Sequence, residues 1–481
     1  MVESATDRLR PIFAEGAALG YPNGPPPEVA VSTTAARASG QSAVGVSVGP
    51  TYELASLLAS VRDRTLEIVA PLSDADVTVQ HDPLMSPVVW DLGHIARFEE
   101  MWLLRHLERP FEGIASLVEL PGLFNPFEHP RRTRGELDLP TLGEVTAMLA
   151  DIRGQVLDRL DQVDCGANAP SLTRDGYVYR MVAQHEAQHA ETILQTLQLK
   201  RGEAYHPVER LATPPGGHID SEMVRFPGGR VRIGTDDRSA AYDNERSRHE
   251  VELRAFDIDT TAVTNGAYLD FMAAGGYTTQ RWWSPEGWAW LRESGAEAPK
   301  YWYRTSDAWW TRSMDRARAV EPDHPVVHVC YHEAAAFARW AGKRLPTEIE
   351  WEAAATWDPI RGVQRSRPWG ETPAGAALAN IGQTTFDTAP VGAYPRNVSP
   401  IGCYGMIGDV WEWTGSDFGP YPHYATFPYR EYSEVFFGDE YKVLRGGSWA
   451  TSAVVARSTF RNWDYPIRRQ IFSGFRCARD A

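Results

Sequence analysis

The tryptophans divide this chain in two. Of 17, only Trp90 and Trp102 precede residue 222. Before that point apolar residues recur at threes and fours in long runs, the period of buried helices. After it, short runs punctuated by Gly and Pro dominate, with many aromatic residues among them, as in an α+β domain of irregular strands and long loops held by aromatic burial. With 481 residues the chain has length for both.

Finer boundaries follow from local composition. Residues 1–50 are rich in Ala, Gly, Ser, Pro and Val, include Pro25-Pro26-Pro27 and show no sustained period, so a disordered tail is expected there. Over 51–200 four helices are expected, together a four-helix bundle. The first runs from Thr51 until Pro71 stops it, and the second starts at Ser86-Pro87 as N-cap and first turn. The third follows a Thr141/Glu144 capping box, and the fourth spans Tyr177 to Lys200. Residues 201–222, with His206-Pro207 and Pro214-Pro215-Gly216-Gly217, read as a linker, and 223–481 as the α+β domain.

Charge and composition exclude several classes. Acidic side chains outnumber basic ones by 63 to 48, and no Lys/Arg run is long enough to follow a phosphate backbone, so nucleic acid is not an expected partner. No apolar run reaches the roughly 18 residues that cross a bilayer, and the N-terminus lacks a signal-peptide core. A cytoplasmic, soluble protein without a membrane partner is expected. Cys165, Cys330, Cys403 and Cys477 are far apart and form no C-x-x-C, so they are expected as free thiols.

The fourth helix carries the chemistry. His185 and His189 lie four residues apart, hence about 40° apart on one face, where two imidazoles reach one metal ion. Val182 and Ile193 share their sector, so both histidines point into the bundle. A bundle assembles metal sites from facing helices, which makes His94 on the second helix the natural third ligand. The run His185-Glu186-Ala187-Gln188-His189 also spells the H-E-x-x-H of zinc peptidases, with Glu186 as base. That reading needs a third ligand after the pair, such as Glu203 or Glu209, and the longer peptidase pattern is missing from 190–200. His324, His328 and His332 repeat the spacing of four, but Pro325 and Val326-Val327 break a helix there and no metal is assigned to them.

Four ordered motifs carry a family resemblance: Gly342-Lys343-Arg344-Leu345-Pro346-Thr347-Glu348, Gly408-Asp409-Val410-Trp411-Glu412-Trp413-Thr414, Leu444-Arg445-Gly446-Gly447-Ser448-Trp449 and Gly474-Phe475-Arg476-Cys477-Ala478. They resemble the formylglycine-generating enzymes, a variant of the C-type-lectin-like fold. Oxidase members of that family carry two cysteines shortly after Gly-Gly-Ser, whereas residues 450–457 here have none, so formylglycine chemistry is not expected. The N-terminal part resembles the DinB family, whose bundles bind a divalent metal with three histidines. The two together, with the run Phe460 to Gly474, resemble the sulfoxide synthases of ergothioneine biosynthesis.

That resemblance implies an enzyme with iron(II) on His94, His185 and His189. Imidazole serves zinc and iron alike, but three neutral ligands on one face of an octahedral ion leave positions for substrates. Implied substrates are hercynine (Nα-trimethylhistidine), γ-glutamylcysteine and dioxygen, joined by a carbon–sulfur bond and oxidised to a sulfoxide. Tyr429 is implied as proton donor, Gln188 and Tyr432 as holders of the hercynine imidazole, and Asn462 and Trp463 as holders of its betaine end. Arg131 and Arg134 would grip the thiol's carboxylates and Asp464 its ammonium. With Arg132, that loop offers enough guanidinium groups for the two carboxylates of γ-glutamylcysteine rather than the one of free cysteine. Two other classes stay open: a zinc-dependent hydrolase or thiol transferase using the bundle site, and a non-catalytic module displaying the lectin-like fold.

Overall fold

The computed structural model describes residues 50–107, 117, 122–217, 219 and 222–481. The expected tail lies outside the described residues apart from Pro50, where the first helix opens. Five helices follow: α1 (Pro50–Val69), the short α2 (Asp74–Thr78), α3 (Val88–Glu100), α4 (Leu142–Leu160) and α5 (Tyr177–Leu199). Helix α1 packs on α5, and α3 packs on both α4 and α5. The expected capping box opens α4: Thr141 Oγ1 accepts from the Glu144 amide, while the Glu144 carboxylate accepts from the Thr141 amide.

The start of α3 differs from expectation. Pro87 occupies the cap position itself, and no side chain caps the helix. The Ser86 hydroxyl instead accepts a hydrogen bond from Arg134 Nη1 at 2.8 Å, drawing the 131–136 turn onto the bundle. At its other end α3 continues as a π-helical turn over Met101–Arg105.

Each long helix gives one charge to a buried quartet. Arg62 of α1 meets Glu186 of α5 at 2.7 Å and Glu99 of α3 at 2.6 Å. Arg153 of α4 meets Glu99 at 2.5 Å and Glu186 at 3.2 Å. Two positive and two negative groups are thus satisfied together, and losing any one would leave its partners buried and uncompensated. The quartet fixes the rotation of the four helices about one another.

Beyond the bundle, a central strand, Phe256–Asp259, is flanked by Met223–Phe226 and by Ala478–Asp480, so the first and last strands of the second domain pair with the same neighbour. A four-stranded sheet runs in the order Asn462–Asp464, Lys442–Arg445, Trp411–Asp417, Ser473–Gly474, with Asn462–Asp464 at its edge. The four sequence motifs, joined by Arg461, supply buried ion pairs around it. Glu348 is bound by Arg461 at 2.7 Å and by Arg445 at 3.2 Å, and Glu412 by Arg476 at 2.7 Å. These pairs tie Arg461 and Arg476, which lie outside regular elements, to a helix at Glu348 and a strand at Glu412.

The segment read as a linker lies along the second domain. Arg210 pairs with Asp315 at 2.6 Å, the Leu211 amide donates to the Thr384 carbonyl, and Tyr205 is buried. Helix α5 is buried along nearly its whole length because the bundle covers one side and the second domain the other.

Candidate metal centre and active site

His94 rises from α3, and His185 and His189 from α5. Their ligand atoms all lie within 4.8 Å of one another, the only such group of three metal-ligating side chains found among the described residues. His94 Nδ1 donates to the Phe124 carbonyl at 3.0 Å, and His189 Nδ1 meets Asp91 Oδ1 at 3.1 Å. Both partners accept, so in each ring Nδ1 is the donor and Nε2 is the nitrogen left for a metal. His185 is held by stacking, its ring 3.6 Å from that of Phe98 and nearly parallel to it. Burial and the neighbouring imidazoles hold His94 and His185 well below the usual histidine range, hence neutral. Three imidazole nitrogens gathered this closely, two of them on rings held neutral, fit a divalent metal.

Gly93 makes the His94 contact possible. A Cβ there would lie 2.2 Å from the Phe124 ring, so only glycine lets that ring settle against α3 and bring its carbonyl to the imidazole. On its other flank His94 stacks on Trp90, with 5.2 Å between centroids.

The histidines face a cavity of about 1040 Å³, counting its open mouth. Its far wall belongs to the second domain: Tyr429, Tyr432, and Asn462, Trp463 and Asp464 on the edge strand. Arg131 and Gln188 complete it from the bundle side. Tyr429 is 2% exposed, edge-on to Phe98 at 6.0 Å, and burial raises its phenol well above the usual tyrosine range. Trp463 stacks on Phe418 at 4.1 Å and meets Tyr432 edge-on at 5.6 Å. Gln188 Nε2 donates to the Tyr242 hydroxyl at 3.0 Å, and the Tyr432 hydroxyl donates to Gln188 Oε1 at 3.1 Å.

Ten of the eleven side chains singled out from sequence therefore border one cavity. Arg134 does not. Its guanidinium lies 3.4 Å over the Trp90 ring, with Nε donating to the His129 carbonyl at 2.9 Å. It buttresses the tryptophan on which His94 stacks. Arg132 is exposed, so of the loop's three arginines only Arg131 lines the cavity. Burial lowers Arg131 to about 10, with Asp91 and Asp464 opposing that shift. Arg468, 3.5 Å from Asp464, is a second buried guanidinium that sequence reading passed over.

Glu186, the base in a peptidase reading, belongs to the quartet with Arg62 and Arg153 and is turned away from the histidine face. Without it the H-E-x-x-H motif lacks its general base. His324 and His328 are engaged separately, with Thr388 Oγ1 at 2.9 Å and the Arg469 carbonyl at 3.1 Å.

Comparison with known proteins accounts for this two-domain arrangement. The DinB superfamily matches residues 57–193, and the sulfatase-modifying factor enzyme 1-like domain matches residues 212–481. Hercynine oxygenase of Mycolicibacterium thermoresistibile is 45% identical over 443 residues, covering 91% of this chain and 96% of the relative. The chain belongs to the hercynine oxygenase family. A second family member, from Mycolicibacterium smegmatis, is 43% identical over 89% of this chain and 98% of its own length. The formylglycine-generating enzyme of Streptomyces coelicolor, 37% identical, matches 54% of the chain. Membership in this oxygenase family makes the protein an enzyme, built from a DinB-like bundle and a sulfatase-modifying-factor-like domain. None of its described helices is long and apolar enough to cross a membrane.

Two residues that hold side chains of the cavity from behind had escaped sequence reading. Asp91 carried a usable signal, since it stands three residues before His94 on the same helix face. Tyr242 carried none, because its contact with Gln188 joins positions 54 residues apart across the domain boundary.

Proposed function

We propose that the protein is an iron(II)-dependent sulfoxide synthase that joins γ-glutamylcysteine to hercynine. The carrying observation is that three histidines share one cavity with a buried phenol, an indole and a cation–carboxylate pair. Iron(II) on His94, His185 and His189 would supply dioxygen activation. The reaction balances on one dioxygen: a bond forms between the thiol sulfur and C2 of the imidazole, the C2 and sulfur hydrogens leave, one oxygen atom ends on sulfur and the other as water.

The side chains have distinct tasks. Gln188 and Tyr432 hold the imidazole, and the exposed side of the Trp463 indole suits a quaternary ammonium, with Asn462 beside it. Tyr429 stays protonated at neutral pH and serves as the proton donor. Asp464 takes the ammonium of the thiol substrate, and Arg131, the guanidinium on the cavity wall, takes a carboxylate. Arg468, 3.5 Å from Asp464, adds a second positive charge beside the cavity, and two cations with one carboxylate favour γ-glutamylcysteine over cysteine. The engagement of Glu186 in the quartet argues against a hydrolase.

Anaerobic loading with iron(II), then oxygen with hercynine and a panel of thiols, tests this by mass spectrometry. The expected product is the γ-glutamylcysteine conjugate as a sulfoxide, and zinc-loaded protein should give none. Preference for cysteine would overturn the thiol assignment, and equal turnover with zinc would overturn iron.

A further inference from the structure

The hydroxyl of Tyr242 is close to the cavity but not on its wall. Gln188 and Tyr432 both line the cavity, whereas Tyr242 lies behind them, 2% exposed, its ring stacked on that of Tyr432 at 3.9 Å. Three groups form a closed set: Gln188 Nε2 donates to the Tyr242 hydroxyl, and the Tyr432 hydroxyl donates to Gln188 Oε1. The amino end of the amide is thereby drawn back toward Tyr242, and its carbonyl end is left with Tyr432 at the cavity.

Tyr242 is itself anchored. Its amide donates to Glu245 Oε1 at 2.8 Å, and Glu245 is held by Arg457 at 2.5 Å. Arg457 Nη1 in turn donates at 2.6 Å to Gln184, one turn before Gln188 on α5. The second domain thus grips the same helix face at two successive turns.

We propose that Tyr242 is a positioning residue which fixes the polarity of the Gln188 amide and so the tautomer in which the substrate imidazole is held. A neutral imidazole carries one N–H and one lone pair. A carbonyl facing the cavity accepts the N–H and leaves the lone pair on the other ring nitrogen. An amide turned the other way would set donor against donor. This inference rests on the proposed binding of the imidazole by Gln188 and Tyr432.

Tyr242→Phe keeps the stacked ring and removes the acceptor. The KM for hercynine should rise roughly two- to tenfold, the span of one neutral hydrogen bond. The KM for the thiol, the iron content and kcat at saturating hercynine should stay close to wild type. In a Gln188→Glu background, where either oxygen accepts whichever way the group turns, adding Tyr242→Phe should change the hercynine KM by less than about twofold. Equal losses in both backgrounds, or losses spread over kcat and both KM values, would mean a merely structural role and overturn the assignment. Wild-type protein that does not turn over hercynine would instead overturn the functional reading, and this assignment with it.

Discussion

Glu191 stands two residues beyond His189 on α5, and its carboxylate accepts the indole N–H of Trp411 at 2.7 Å from the other domain. Ser448 and Thr451 of that domain donate to the same carboxylate at 2.8 and 2.7 Å. Trp411 and Ser448 belong to two of the four family motifs, so motif residues register the helix that bears the metal ligands. Glu191→Ala removes the register and leaves an indole N–H buried without an acceptor, costing about 1–3 kcal/mol of stability. Because small displacements of reacting groups are costly, turnover should fall by on the order of 10²-fold. Iron content and a urea melt, measured with turnover, check this: retained iron with lost turnover is the expected pair.

Each of the three histidines is expected to matter to metal and turnover together. His94→Ala, His185→Ala or His189→Ala should lower iron affinity and activity in parallel, whereas His324→Ala should change neither. Metal analysis after dialysis decides it. Normal iron binding by His94→Ala would remove α3 from the site.

Tyr429→Phe keeps the ring against Phe98 and Trp102 while deleting one hydroxyl. Both substrates should still bind, and sulfoxide formation should fall by on the order of 10²-fold or more, as for a lost proton donor. Product analysis should find oxygen diverted to the thiol. Unchanged sulfoxide yield would exclude Tyr429 from the chemistry.

On the proposed binding mode, Asp464 sets the pH dependence of thiol binding. Burial raises its carboxyl to about 6, with Arg468 opposing. Above that pH the group is charged and holds an ammonium; below it the group is protonated and neutral. The KM for γ-glutamylcysteine should therefore climb as pH falls through about 6, while that for hercynine stays flatter. Asp464→Asn should raise the thiol KM by roughly ten- to a hundredfold at neutral pH, the worth of a charge-assisted bond. It should also abolish the slope near 6, which steady-state kinetics across pH would read.

Local signals predicted the helices well, because Pro71, the Thr141/Glu144 box and the apolar periods act within a few residues of the ends they set. The convergence of the three histidines was legible for the same reason: spacing brought His185 and His189 together and bundle geometry added His94. Arg134 was not. In the 3-10 turn Arg131–Glu136 residues three apart share a face, yet Trp90 captures Arg134 while Arg131 reaches the cavity. The fate of Glu186 was equally hidden. One turn of sequence gives it a catalytic motif, but only the packing of four helices reveals Arg62 and Arg153 beside it.

The segment between the domains lies along the second one, pinned by Arg210 and Leu211. The three histidines on one side and Tyr429 on the other are therefore parts of a single molecule that meet by an intramolecular, first-order event. Such tethering sets an effective concentration fixed by the chain rather than by the solution. However dilute the protein becomes, the two halves of its cavity are never separate reactants.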